Sequence, residues 1–153
     1  GEAISGPLRE AGVTLEPVSV VTSIWGAWKA EHPETTILAR DGGVSGRTYP
    51  FDPLGGRDDN GPIFPVGGVD QRLPAQELVL GVISSQGEAI AFPVANATLA
   101  LREGERLLYR DIELRLEGSG LRAFVAGEDA GAHEAFWFAW SQFRPDTEVW
   151  QRR

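Results

Sequence analysis

Residues 135–150 read AFWFAWSQFRPDTEVW, a helical-looking run carrying Phe136, Trp137, Phe138, Trp140 and Phe143 that closes on a strand-like tail. Most of this pattern occurs twice. An offset of 112 residues lays Trp137, Ala139, Trp140, Pro145, Thr147 and Val149 on Trp25, Ala27, Trp28, Pro33, Thr35 and Ile37, with Asp146 on Glu34. The shared pattern, W-x-A-W-x4-P-[DE]-T-x-[IV], holds four of the five Trp residues. Each such ring can bury ~150–250 Å², enough to dominate the energetics of a small domain. Trp25, Trp28, Trp137 and Trp140 are therefore read as the structural anchors of the core, and the two copies as an internal pseudo-repeat.

In each copy the local signals predict one short helix. Thr22 or Ser23 supplies a capping hydroxyl, Ile24 and Trp28 lie four apart on one face, and Pro33 excludes helical geometry from the residue before it. In the second copy Phe136, Trp140 and Phe143 repeat at i, i+4 and i+7, a core-facing stripe, and Pro145 stops it. Two helices are expected, near residues 23–32 and 133–143. An aromatic platform for stacking sugars or bases is the functional alternative to burial.

The remainder reads as strand and loop. Leu78–Ile83 (LVLGVI) is the continuous apolar run of a buried strand, and residues 87–94 (GEAIAFPV) follow a polar turn, so a hairpin is expected. Further strands are expected at residues 99–102, 106–116 and 121–125, separated by Gly-rich turns. From Asp111 onward Ile112, Leu114 and Leu116 alternate with Glu113, Arg115 and Glu117, so one face is wet. Half-solvated alternation marks an antiparallel sheet. The fold class is thus mainly β (α+β): an antiparallel meander packed with two short aromatic-rich helices and lacking parallel crossover units. A single domain spanning 1–153 is expected, interrupted by a Gly/Pro/Asp-rich loop at 41–68. Loops of that length are often functional, although Tyr49, Phe51, Ile63 and Phe64 could pin it to the surface. Residues 36–39 read as a short strand.

Composition mostly subtracts. At 153 residues the chain can bury a core without staples. Net charge −8 repels phosphate backbones, so nucleic acid is not an expected partner. No apolar run reaches the ~18 residues of a membrane span, and no membrane insertion is expected. Cys and Met are both absent, which removes disulfides and soft metal sites. Without Met the chain does not show its own initiator: either a Met was trimmed before Gly1 or the chain is a processed or excised piece.

Several stretches together resemble a known family. They are Phe64-Pro65-Val66, Asp70-x-Arg72-Leu73-Pro74, Glu77-x-Val79-x-Gly81-Val82, Gly87-Glu88-Ala89-x-Ala91-Phe92-Pro93 and the closing Phe136-Trp137-Phe138-Ala139-Trp140 with Phe143-x-Pro145-Asp146-Thr147-Glu148-Val149. The opening Gly1-Glu2-Ala3-Ile4-x-Gly6-Pro7-Leu8, Trp25-x-x-Trp28 with His32-Pro33-x-Thr35, and Asp52-Pro53 fit as well. The chain resembles the bacterial and archaeal DUF3179 family of uncharacterised proteins over nearly its whole length. Members usually carry an upstream Cys-x-x-Cys and His region and frequently an export signal. The resemblance thus implies a carboxy-terminal portion or short member in an extracytoplasmic setting (periplasmic or cell surface), and it transfers no activity.

Chemistry is sparse. Only His32 and His133 exist, each expected at the edge of an aromatic helix, so a two-His metal site would need the helices to meet in register. No metal site and no cofactor are expected. Neither a phosphate-binding Gly-Lys-Ser/Thr loop nor a Gly-x-Ser-x-Gly elbow is spelled. Asp58-Asp59-Asn60-Gly61 lacks the alternation and distal Glu of a calcium loop, and Asn96-Ala97-Thr98 is a sequon by spelling only. The one polar cluster of interest is Asp70, Arg72 and Glu77: Arg72 could clamp a ligand carboxylate, or pair structurally with Asp70 or Asp146. Three functions stay open. The first is a noncatalytic structural or interaction module, a subunit of a larger assembly with other protein subunits. The second is an enzyme using Asp70, Arg72 and Glu77, and the third a carbohydrate-binding module.

Overall fold

The computed structural model describes residues 3–37, 52, 54–57 and 61–152. Among them lie four short helices and eight strands. In chain order these are α1 (Pro7–Glu10), α2 (Trp25–Glu31), β1 (Leu78–Ile83), β2 (Ala89–Pro93), α3 (Val94–Arg102), β3 (Leu107–Tyr109), β4 (Ile112–Glu117), β5 (Gly120–Val125), β6 (Glu128–Asp129), β7 (His133–Phe136), α4 (Trp137–Phe143) and β8 (Glu148–Val149). Most of the 41–68 loop, the end of the strand expected at 36–39 and the Asp58-Asp59 turn lie outside the described residues. Of the residues expected to pin that loop, Phe64 is 74% exposed.

The strands form two four-stranded sheets, ordered β7-β1-β2-β8 and β3-β4-β5-β6. The second is the expected antiparallel meander, with Leu107 opposite Leu114 and Leu114 opposite Ala123. The first is antiparallel except at its rim, where β8 runs parallel to β2. That parallel pair departs from the expected all-antiparallel arrangement. The strand-like tail expected after α4 is β8, but two residues carry no periodicity that would announce which strand they pair with or in which direction.

Period-two alternation sends the first sheet into two separate cores. Leu80 and Val82 of β1, with Ile90 and Phe92 of β2, face α3 and the second sheet, where they join Ile112, Leu114, Leu121 and Ala123. Val79 and Ala91 face the other way and pack with Trp137 and Trp140 of α4. Burial on both faces explains why LVLGVI is an unbroken apolar run, although the sheet is not an all-parallel one.

Helix α3 replaces the strand expected at residues 99–102. Its Ala and Leu content favours helix, and Ala97 and Ala100, three apart, are both fully buried. The helix ends in a Schellman arrangement: the Glu105 amide donates to the Ala100 carbonyl and the Gly104 amide to the Leu101 carbonyl, with Gly104 at φ 85°. The Gly-rich turn expected between strands at 99–102 and 106–116, Glu103-Gly104-Glu105, is therefore a helix stop.

The repeated motif is a repeat in three dimensions as well. The residues before the two helices have nearly the same backbone, Ile24 at φ −71°, ψ 142° and Phe136 at φ −68°, ψ 144°. Their C-caps match too, His32 at −126°, 68° and Arg144 at −135°, 68°. In both copies the second Trp indole N–H donates to the Thr seven residues on, Trp28 to Thr35 and Trp140 to Thr147, each at 2.9 Å. Burial differs sharply. Trp137 and Trp140 are 0% and 7% exposed, whereas Trp25 and Trp28 are 49% and 39% exposed. The expectation of four buried anchors is corrected for Trp25 and Trp28, because no described element covers α2 as β1 covers α4. The expected stripe is corrected also: Phe136 and Phe143 are exposed, and α4 buries Trp137, Trp140 and Ser141 instead.

Candidate functional site

Asp70 and Arg72 are brought together, and the object they grip is the protein itself. The Arg72 guanidinium donates to both Asp70 carboxylate oxygens, with a closest approach of 2.6 Å. Its other donors reach the Thr147 carbonyl at 2.6 Å and the Pro145 carbonyl at 3.2 Å. The same guanidinium lies 5.2 Å from the centre of the Trp137 ring, and the Trp137 indole N–H donates to the Asp70 carbonyl at 3.0 Å. Arg72 thus latches the Pro-terminated turn between α4 and β8, using the fork of planar donors that only Arg offers. Its hydrogen bonds hold the Asp70 carboxyl below the ordinary aspartate range, so Asp70 stays ionised at neutral pH.

Glu77 contributes through its backbone. Its carbonyl accepts from the Trp137 amide at 2.8 Å, and the Ala75 carbonyl accepts from the Phe138 amide at 2.9 Å. These two carbonyls satisfy N-terminal amides of α4, which has no side-chain cap. The three residues singled out in the sequence therefore all serve the seating of the second aromatic copy.

A second polar cluster lies in a cleft of about 490 Å³ lined by Glu88, Arg110, Phe143, Arg144, Asp146 and Glu148 among others. Arg110 bridges Glu88 at 2.6 Å and Glu148 at 2.7 Å, and the Tyr109 hydroxyl donates to the remaining Glu148 oxygen. Arg110 holds φ 53°, a left-handed backbone unusual for a residue with a side chain, at the β3–β4 turn. The next residue, Asp111, accepts from the Ser85 amide at 2.9 Å. The turn of one sheet is thereby clasped to the β1–β2 turn and to β8 of the other. The hydrogen bond to Glu148 raises the Tyr109 pKa, while the same bond and Arg110 lower that of Glu148. Each shift moves its group away from neutrality, the opposite of what a general acid or base needs near pH 7. Sequence reading missed this cluster because its members come from three separated segments with no spacing signature.

One carboxyl shifts the other way. Partial burial on β7 raises Glu134, opposed by a hydrogen bond from Thr22. The two His residues stay with their own copies: His32 caps α2 with its ring 4.0 Å from that of Trp28, and His133 opens β7 with its ring 6.3 Å from that of Trp140. His133 is in a strand, not at the edge of a helix as expected, since the aromatic helix begins only at Trp137. Among the described residues no group of three or more His, Asp or Glu side chains is placed to hold a metal ion. Among them, too, no helix is long and apolar enough to cross a membrane.

A family model described as a protein of unknown function, DUF3179, matches residues 1–107. It includes the first aromatic copy, the Asp70-x-Arg72 latch and the β1–β2 hairpin, and ends before the second copy. No curated protein and no solved structure matches the chain.

Proposed function

The chain belongs to the DUF3179 family, and we propose that it is a noncatalytic structural or interaction module, one subunit of a larger protein assembly. A single observation carries this reading. Not one residue from 3 to 37 is buried, although the stretch includes Leu8, Leu15, Val18, Ile24, Trp25, Trp28 and Ile37. Scattered apolar side chains on a surface are ordinary, but so many in one stretch, two Trp among them, support the reading of a surface that another protein covers. The polar clusters support the same reading, because Asp70, Arg72, Arg110 and Glu148 are occupied in holding the chain's own turns. The acidic balance of −8 favours protein over nucleic acid as the partner. Family likeness supports an extracytoplasmic setting.

The test is site-specific photocrosslinking in the cell that makes the protein. Probes at Ile24 and Ile37 are expected to capture a polypeptide in the extracytoplasmic fraction, whereas probes at the exposed Leu108 and Phe143 are not. Equal capture at all four positions, or at none, would sink the reading.

A carbohydrate-binding module is the second reading, favoured by the half-exposed Trp25 and Trp28. It requires both rings free for stacking, and Trp28 already lies against His32 with its indole N–H tied to Thr35. Calorimetric titration with soluble oligosaccharides separates the two, with no saturable heat expected.

A further inference from the structure

The second copy of the motif shows what a covered copy looks like. Trp140 lies so close over Gly81 of β1 that a Cβ added there would overlap its six-membered ring. Gly81 pairs with Ala91 of β2 on one side and His133 of β7 on the other, so the indole rests on a floor with almost no side chain at its centre. Val79, Ala91, Leu73, Ala89 and Val149 complete the seat. Trp28 lies in a helix with the same flanking backbone and makes the same Trp-to-Thr hydrogen bond, but among the described residues it has no such floor.

A further part of the duplicated unit is spelled in the sequence. Residues 1–8, GEAISGPL, repeat residues 87–94, GEAIAFPV, with Gly, Glu, Ala, Ile and Pro at the same places. In both cases a helix follows, with Pro7 as the first residue of α1 and Pro93 as the N-cap of α3. The sequence of the return strand therefore recurs before the first motif, whereas the sequence of the outgoing strand, Leu-Val-Leu-Gly-Val-Ile, is spelled once. That single copy already lies under α4.

We propose that the exposed Trp25/Trp28 face of α2 is a docking site for one kind of occupant, an apolar β-strand of the β1 type carrying glycine at the position beneath Trp28. The reasons are steric. A Trp ring seated flat on a strand needs glycine at the contact, since any Cβ occupies the ring's place, and apolar residues on either side of it exclude water from the ring edges. Main-chain hydrogen bonds would set the register of such a strand, and the glycine would set its specificity. This rests on the reading of residues 3–37 as an interaction surface and names what that surface takes.

The experiment copies residues 73–86 in front of Gly1, so that Gly1-Glu2-Ala3-Ile4 follows the copied turn as Gly87-Glu88-Ala89-Ile90 follows the original. Iodide quenching then reports how much Trp emission is open to solvent. Quenching is expected to fall to the level of a Trp25→Phe, Trp28→Phe double variant of the unextended chain, and to recover when the copied glycine is changed to valine. A synthetic peptide of residues 73–94 added to the unextended chain provides the same measurement should the extended chain fail to fold. Unchanged quenching in both formats would overturn the proposal, as would equal protection by the valine version. Capture at Ile24 and Ile37 with no protection by the copied strand would leave the interaction module standing and reject only its occupant.

Discussion

The two copies of one motif give an internal control that few chains carry. Trp28 and Trp140 share helix geometry, C-cap and a 2.9 Å bond to a downstream Thr, yet one ring is part of a core and the other faces solvent. Local sequence therefore decides how the segment folds on itself, and the neighbour decides whether the fold is buried. Around α4 that neighbour is specific: a glycine floor at 81, backbone carbonyls at 75 and 77 for the first amides, and Arg72 latching the exit turn. Around α2, among the described residues, backbone and hydroxyl hydrogen bonds to the rest of the chain lie at the approach to the helix. Ser119 Oγ accepts from the Ile24 amide at 2.9 Å and lies 2.9 Å from Ser23 Oγ, while the Val20 amide donates to the Ala132 carbonyl at 3.0 Å. The first copy is tethered to the body without being packed into it.

The widest separation is expected from removing the second Trp of each copy. Trp140→Ala should destabilise by about 3–5 kcal/mol, the range for large-to-small changes of aromatic core residues. Trp28→Ala should change stability by about 0.5 kcal/mol or less, as surface substitutions do. Reversible denaturation of both variants checks the pair, and equal losses would break the comparison outright.

A smaller difference is expected at the paired threonines. Thr147 is buried, so Thr147→Val leaves the Trp140 indole N–H without an acceptor inside the core, at a cost of about 1–3 kcal/mol. Thr35→Val leaves the Trp28 N–H to water and should be close to neutral. A threonine pair behaving alike would mean that the indole hydrogen bond, and not its surroundings, carries the energy.

The smallest effect should appear in acid. Asp129 accepts from Ser19 Oγ at 2.5 Å, from the Gly131 amide at 2.8 Å and from Arg122, which hold its pKa at about 2 against an ordinary 3.8. A carboxylate depressed in the folded state stabilises above its unfolded value and loses that contribution as pH falls through its folded one. The Ser19 tether should therefore weaken between 3.8 and about 2, loosening the approach to α2 while α4 stays seated. Amide resonances of Val20 and Trp137 followed through acid titration distinguish the two, and Asp129→Asn should abolish the transition at Val20 alone.

Much of the secondary structure was legible. LVLGVI read as a buried strand because β-branched and apolar residues leave no wet face, and Ile112 to Leu116 alternated because one face of β4 is wet. Less was legible where an element is short or its partner distant. The tail at β8 read as strand-like, but its parallel pairing exists only because β2 offers it a ladder, and α3 was hidden by a Gly that ends a helix as readily as it turns a hairpin. The Asp70 and Arg72 pair was visible as a cluster, but its object, the carbonyls of Pro145 and Thr147, lies more than seventy residues away in sequence. The Tyr109, Arg110, Glu148 and Glu88 clasp had no sequence signal at all.

By itself the sequence determined the local conformation of the repeated motif, helix, Pro-forced stop and Thr acceptor, because those interactions span seven residues or fewer and travel with the segment wherever it is placed. Only the tertiary structure decided that Trp137 and Trp140 are core while Trp25 and Trp28 are surface. Burial is a property of two surfaces brought together, and of the two matching helices only α4 has, among the described residues, a strand with glycine beneath it.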